Sequence, residues 1–116
     1  FHITGDGRGL SQFTAKAWVN FNGTSTPAIR DSHNVSSITD NATGRYDVNF
    51  TVSLTNADFS ALGNCTKGGG SASAANSSVS YIGEGRSTNY VSVESYQADG
   101  STLRDSTFIN VGVFGD

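Results

Sequence analysis

Residue types used in nucleophilic catalysis occur together at one place in this chain, where Asp31 and His33 lie two positions apart. Side chains at that spacing share one face of a β-strand, so with a serine nearby they would supply an Asp–His–Ser triad. The chain has no Gly-x-Ser-x-Gly turn to expose such a serine, and the other histidine, His2, lies in a glycine-rich stretch. The sequence therefore predicts no serine hydrolase.

Paired carboxylates are the second constellation that could do chemistry, because glycan hydrolysis needs two of them about 5 to 9.5 Å apart in a groove. The candidates, by residue type alone, are Asp31, Asp47, Asp58, Glu84, Glu94 and Asp105. No spacing singles out two of them. We therefore predict that the protein is not an enzyme and carries no metal or cofactor.

Cys65 is the only cysteine, which excludes a disulfide within the chain. It belongs to the inward set of a short alternating segment, Phe59, Ala61, Gly63 and Cys65. We therefore expect an unreactive thiol, buried as a small apolar residue.

Aromatic and charged side chains come together between positions 81 and 90, where Tyr81, Glu84, Arg86 and Tyr90 surround the predicted turn Gly83–Ser87. An aromatic ring can pack on the apolar face of a sugar while charged groups bind its hydroxyls, so this set suits a carbohydrate ligand. The alternative is structural: the tyrosines complete the edges of a sheet, and Arg86 is solvated.

Strands must hold these residues, because apolar and polar residues alternate along the chain and no helical periodicity is present. The clearest segment, Arg45 to Val52, places Tyr46, Val48 and Phe50 on its inward face. The predicted strands are 14–22, 28–38, 45–52, 59–65, 79–81, 91–93 and 108–114. Together with turn signals such as Asp99-Gly100, they predict an all-β fold, an antiparallel β-sandwich of about seven short strands.

The composition indicates one domain and excludes some partners. The chain has 116 residues, 14 of them glycine, with 35% hydrophobic and 15% charged residues, so it is poor in large aliphatics without being disordered. A net charge of -3 and scattered Lys and Arg argue against nucleic acid or an anionic membrane surface as partner. Residues 1–13 are predicted to be a linker, and 66–78 a long low-complexity loop.

Two stretches of the first half and the end of the chain resemble a known module. They are AKAWVNFNGT from Ala15, AIR-x-S-x-NVSSITDN-x-TG-x-Y-x-VNFT from Ala28, and the closing INVGVFGD. They are similar to a module that recurs near the C-termini of tail fibres and related receptor-binding structural proteins of tailed bacteriophages. The chain departs from that pattern at Ala42, at Arg45 and in the run 59–62.

The resemblance implies a homotrimeric domain at the distal tip of a virion tail fibre, which binds a host-surface polysaccharide or protein. Residues 1–13 would then link it to the upstream shaft, and residues 14–116 would form the binding domain. A purely structural module that trimerises or caps the fibre is the alternative.

Trp18 bears on this choice because it stands on the otherwise polar face of its strand, with Lys16 and Asn20. A large aromatic residue there either contacts another chain or packs under a neighbouring loop. Given the trimer that the resemblance implies, we expect Trp18 and Arg30 at the subunit interface.

The strand count also predicts which loops face the host. Seven strands that start from a shaft place Gly23–Pro27, Leu54–Ala57 and Gly83–Ser87 at the distal end, with the C-terminus. Thr24 and Asn56 therefore join Tyr81, Glu84, Arg86 and Tyr90 as the predicted receptor-binding residues. If 59–65 were not a strand, the loop 66–77 would be distal instead.

Overall fold

The computed structural model describes residues 14–67 and 78–115, and these form strands joined by turns. The predicted linker 1–13 and most of the predicted loop 66–78 lie outside the described residues. The strands are β1 (Ala15–Asn22), β2 (Ala28–His33), β3 (Val35–Ala42), β4 (Arg45–Phe50), β5 (Ser60–Thr66), β6 (Ser78–Arg86), β7 (Tyr90–Gln97) and β8 (Phe108–Phe114). None of the described residues belongs to a helix that could cross a membrane.

Two four-stranded antiparallel sheets pack face to face, which confirms the predicted all-β sandwich. The first sheet has the strand order β2-β1-β8-β5, and the second has the order β3-β4-β7-β6. The central strands of the first sheet are thus β1 and β8, which are far apart in the sequence. Their pairing is the reason why residues from both ends of the described chain meet on one sheet.

The core lies between the sheets and is built from the alternating residues that the sequence predicted. Phe21 of β1 and Tyr46 of β4 meet edge to face with ring centroids 5.3 Å apart, which joins the two sheets. Cys65 is buried, as predicted. The buried apolar residues on strands are Ala17, Val19, Phe21, Val35, Tyr46, Val48, Phe50, Cys65, Val91, Val93, Ile109, Val111 and Val113.

Lys16 is an exception to the predicted pattern, which placed it on the outward face of β1. The register of β1 against β8 shifts between Ala15 and Ala17, and only 1% of Lys16 is exposed. A bulge of this kind turns a side chain away from the face that strict alternation would give it.

The prediction of one strand over 28–38 was wrong, because the chain turns at Asn34 and passes from the first sheet to the second. Asn34 has a positive φ of 55°, a conformation that asparagine tolerates better than most residues. Its side-chain amide donates to the carbonyl oxygens of Lys16 and Val52, both at 3.1 Å, and accepts from the Val52 N–H at 2.8 Å. The sandwich therefore has eight strands, and the mixed polarity of 28–38 reflects two edge strands.

The extra strand changes which loops share an end. Ala15 pairs with Phe114, so β1 begins and β8 ends at the same end of the sandwich. The segments 51–59 and 87–89 lie at this end too, since the Leu54 N–H donates to the Thr88 carbonyl at 2.9 Å. Gly23–Pro27 lies at the opposite end, where the Gly23 N–H donates to the Ser106 carbonyl. The predicted grouping of three distal loops with the C-terminus was therefore wrong.

The predicted turn Gly83–Ser87 is also corrected. β6 continues to Arg86 through an irregularity in its pairing with β7 between Ile82 and Arg86. The reversal of direction comes later, where the Ser87 N–H donates to the Tyr90 carbonyl at 3.0 Å. Glu84 and Arg86 are therefore strand residues.

Candidate functional site

A shallow groove crosses the outer face of the first sheet, and Trp18 forms one side of it. In the register of the sheet, Trp18 lies beside Gly112, and Gly112 lies beside Leu62. Trp18 is 39% exposed and Leu62 is 64% exposed. Because the residue between them has no side chain, the two larger groups form the walls of a trough with Phe114 at one end. We call this feature the Gly112 trough.

Three asparagines continue the trough along the strands. Asn20, Asn110 and Asn64 occupy neighbouring positions on β1, β8 and β5. The Asn110 Nδ2 donates to Asn64 Oδ1 at 2.8 Å, and the Arg30 Nη1 donates to Asn20 Oδ1 at 3.0 Å. These hydrogen bonds orient the amide groups on the sheet surface. We call this row the asparagine row.

Arg30, predicted at a subunit interface, lies beyond the asparagine row. Its guanidinium carbon lies 4.2 Å from the ring centroid of Phe108, and its Nη2 donates to the Thr107 carbonyl oxygen at 2.6 Å. Phe108 is 41% exposed, so the pair forms a cation–π contact at the surface. Trp18 is 39% exposed, so more than a third of the residue is open to a partner, and the predicted subunit contact stays a prediction.

The outer face of the second sheet has a different chemistry. The rings of Tyr81 and Tyr96 meet edge to face with centroids 5.2 Å apart. Beside them, the Arg45 Nε donates to Glu94 Oε2 at 2.8 Å. Glu84 lines a second groove with Arg45 and Glu94. This face therefore carries charges and phenol groups, whereas the lining of the Gly112 trough is uncharged.

The structure brings only some of the predicted receptor-binding residues together. Glu84 lines this second groove, whereas Tyr81 and Tyr90 lie on its bordering strands, β6 and β7, and do not line it. The Arg86 side chain does not join them, because its Nη1 donates to the Phe59 carbonyl at 2.8 Å and its guanidinium lies over the Phe59 ring.

Thr24 and Asn56 lie at opposite ends of the sandwich, and each makes a local turn contact. The Thr24 N–H and hydroxyl both donate to Asn22 Oδ1, and Asn56 Oδ1 accepts from the Asp58 N–H. The predicted residues therefore form no continuous surface. A site that joined all of them would need more than one copy of the chain.

A buried polar contact fixes the end of the sandwich that carries Gly23–Pro27. The Tyr46 hydroxyl donates to Asp105 Oδ1 at 2.6 Å and lies 2.8 Å from the Gly23 carbonyl oxygen, and the Gly44 N–H also donates to Asp105 Oδ1. Burial, together with the hydrogen bond and negative charge of Asp105, raises the pKa of the Tyr46 phenol far above its ordinary value. The contact is structural, because the phenol stays neutral.

The residues considered for catalysis lie on the outer face of the first sheet. Asp31 pairs in register with Asn20, and His33 pairs with Trp18. Asp31 Oδ1 accepts from the adjacent Ser32 N–H, and no hydrogen bond joins His33 to a serine in the described part of the chain. Within residues 14–67 and 78–115, no cluster of His, Cys, Asp and Glu is arranged to hold a metal ion.

Leu62, Gly112, Phe114 and the asparagine row were not among the predicted site residues. The alternation of β8 does place Phe108, Asn110, Gly112 and Phe114 on one face. Their meeting with Trp18 depends on the order β1-β8-β5, which pairs strands distant in the sequence. Periodicity within a strand carries no information on that order.

Comparison with protein-family models, with curated proteins and with solved structures found no significant match. The resemblance to phage tail fibres therefore stays a prediction, and the site is interpreted from its own geometry.

Proposed function

We propose that this chain is the distal domain of a bacteriophage tail fibre, present as a homotrimer at the fibre tip, and that it attaches to a receptor on the host surface without catalysis. The observation that carries the proposal is the Gly112 trough, an open groove on the outer sheet face, walled by Trp18 and Leu62 with Phe114 at one end. Grooves of this kind, apolar with a few placed polar groups, are typical binding sites. The receptor is a polysaccharide or a protein of the cell surface.

The position of the strand ends supports this assignment. Since β1 begins beside the end of β8, a shaft attached before residue 14 would approach the sandwich from that end. The opposite end, with Gly23–Pro27, would then point away from the shaft. The shaft itself would then cover neither outer face of the sandwich.

Three copies would make a weak site effective. A shallow, solvent-open groove gains less from burial than a deep pocket does. When three such grooves are linked in one fibre, each further contact is made at a high effective concentration, so overall attachment exceeds the affinity of one site. A homotrimer therefore suits the shape of the groove.

A structural module remains the second candidate, and exposed apolar residues favour it. Trp18, Leu62 and Phe108 are 39%, 64% and 41% exposed, and they lie on the same sheet face. Exposed patches of this type often mark contacts between subunits. In this case Trp18 and Arg30 would be buried between copies, and recognition would belong to another part of the fibre.

Light scattering and cell binding on the same preparation separate the two candidates. For the receptor-binding domain we expect a trimer that binds host cells and loses binding in Trp18→Ala while its mass is unchanged. Gln97→Ala, which truncates an exposed side chain at the end of β7 in the other sheet, is the control. A trimer that binds no cells, and that dissociates in Trp18→Ala, would establish the structural module instead.

A further inference from the structure

We propose that the Gly112 trough binds a neutral glycan, with one sugar ring on the Trp18 indole and the hydroxyl groups on the asparagine row. The inference rests on the proposed function and names the chemical class of the receptor. It concerns one site on one sheet face, and it does not depend on the predicted residues of the second sheet.

The trough has room for a ligand at its centre. A Cβ atom added at Gly112 would meet only the Phe114 ring, at 3.8 Å, which is an ordinary van der Waals distance. The glycine is therefore not required by close packing within the chain. What it provides is depth between Trp18 and Leu62, in a groove with a cavity volume of about 540 Å³.

The trough and the asparagine row complement the two kinds of surface that a sugar presents. The ring of a pyranose has apolar C–H faces, which pack on aromatic side chains such as the partly exposed indole of Trp18. Its hydroxyls both donate and accept hydrogen bonds, as the amide groups of asparagine do. Asn110 and Asn64 are already held by their mutual hydrogen bond, so little side-chain entropy is lost when a ligand binds.

The absence of ionisable residues from the trough lining favours neutral ligands over acidic ones. None of the residues that line the trough is ionisable: they are Trp18, Val19, Asn20, Leu62, Gly63, Asn64, Asn110, Val111, Gly112 and Phe114. An acidic glycan would find no cationic partner among these residues, so its carboxylate or phosphate would gain no charge-assisted hydrogen bond. Arg30, which contacts Asn20 at one end of the asparagine row, directs its guanidinium to Asn20, to the Thr107 carbonyl and over the Phe108 ring.

A second copy of the chain is a poorer occupant. Dry packing against another protein face would bury three amide side chains, and each amide group left without a hydrogen bond destabilises the contact. Hydroxyl groups of a glycan can satisfy these amides at many angles. The asparagine row therefore favours a hydrated polyol over an apolar protein surface.

Trp18 is the only tryptophan, so its fluorescence reports directly on the trough. The full chain is screened on an array of neutral and acidic bacterial oligosaccharides, and the best neutral oligosaccharide is then titrated while Trp18 emission is recorded. We expect saturable binding with a change in emission. In Gly112→Val, which fills the trough, we expect affinity to fall by about tenfold or more, a loss of about 1.4 kcal/mol.

Two controls test whether the fold and the assembly are unchanged in the variants. Thr66→Val changes an exposed residue of β5, on the same sheet but outside the trough, and should bind as the unaltered chain does. Gly112→Val should keep the melting temperature and the mass in solution. Equal affinity in Gly112→Val, binding of acidic oligosaccharides alone, or no oligosaccharide binding would each overturn the proposal.

Cell binding distinguishes failure of this inference from failure of the proposed function. If host cells bind the chain but neutral oligosaccharides do not, the receptor is of another class and the glycan assignment is wrong. If neither binds and Gly112→Val lowers the mass, the trough is a contact between copies, and both proposals fail. Binding of both, lost together in Gly112→Val at constant mass, supports both.

Discussion

At the residue scale, two side chains decide the shape of the sandwich. Asn34 turns the chain from one sheet to the other, and Tyr46 ties β4 to Asp105. The Asn34 amide makes three hydrogen bonds to main-chain groups of two different segments. Each residue therefore holds separate segments of the chain together through its side-chain hydrogen bonds.

Asn34→Ala should destabilise the protein by about 2 to 4 kcal/mol. It removes these hydrogen bonds, and alanine at a positive φ keeps the backbone strain without the hydrogen bonds that offset it in asparagine. Asn34→Gly should cost less, since it loses the hydrogen bonds but relieves the backbone strain. Urea denaturation followed by circular dichroism measures both. Equal stability of Asn34→Ala and the unaltered chain would contradict this role of the Asn34 side chain.

The Tyr46 phenol should make stability fall at alkaline pH. Its pKa is raised in the folded state, while in the unfolded chain it ionises near its ordinary value of about 10. The stabilisation is therefore complete below about pH 10 and is lost as the pH rises above that value, because the unfolded state releases the proton first. Melting temperatures between pH 8 and pH 11 measure the effect.

Tyr46→Phe is the control for that titration. It should be less stable at neutral pH by about 1 to 3 kcal/mol, since the Asp105 carboxylate loses a buried donor. Its melting temperature should also fall less steeply above about pH 10. Parallel curves for the two proteins would show that the phenol does not cause the alkaline loss.

At the element scale, glycines in strands and in turns differ in whether the fold allows a side chain at their position. Gly44, in the turn between β3 and β4, has a φ of 70°, and a Cβ there would lie 2.6 Å from the Ser95 carbonyl oxygen. A Cβ at Gly112, in the middle of β8, would meet only the Phe114 ring, at an ordinary van der Waals distance of 3.8 Å. The first glycine is required by the fold, whereas the second shapes the trough.

Alanine substitution should separate the two glycines. Gly44→Ala should destabilise the protein by about 2 kcal/mol or more, because both the positive φ and the contact with the main chain oppose it. Gly112→Ala should change stability by less than about 1 kcal/mol in either direction. Chemical denaturation of the pair provides the test, and a larger loss in Gly112→Ala would show that this glycine is needed for packing.

Alternation along single strands could be predicted from the sequence, and the buried sets of β1, β4, β7 and β8 confirm it, whereas only Cys65 is buried on β5. The break at Asn34 could not, because residues 28–38 have mixed polarity on both faces, so no change of pattern marks the residue whose backbone turns. The Gly112 trough depends on Trp18 and Leu62 flanking β8, a pairing that arises from tertiary packing. Local pattern indicates which face a residue occupies, except at a bulge such as the one at Lys16, and it does not indicate the neighbours across the sheet.

At the scale of the whole molecule, the two outer faces of the sandwich have different chemistry. The first sheet presents Trp18, Leu62 and neutral amides, and the second presents the Arg45–Glu94 ion pair with tyrosines. A module used only for assembly would need one apolar face for contact between subunits. The proposed receptor-binding domain needs a face that stays open in the trimer, and we assign the trough to that role.

The most direct test of this assignment is the binding of the chain and of Gly112→Val to host cells, with the mass of each measured in the same buffer. We predict that both proteins are trimers of equal stability and that only the unaltered chain binds the cells. If Gly112→Val binds the cells as well as the unaltered chain does, the trough is not the receptor site, and attachment through this face of the sandwich is ruled out.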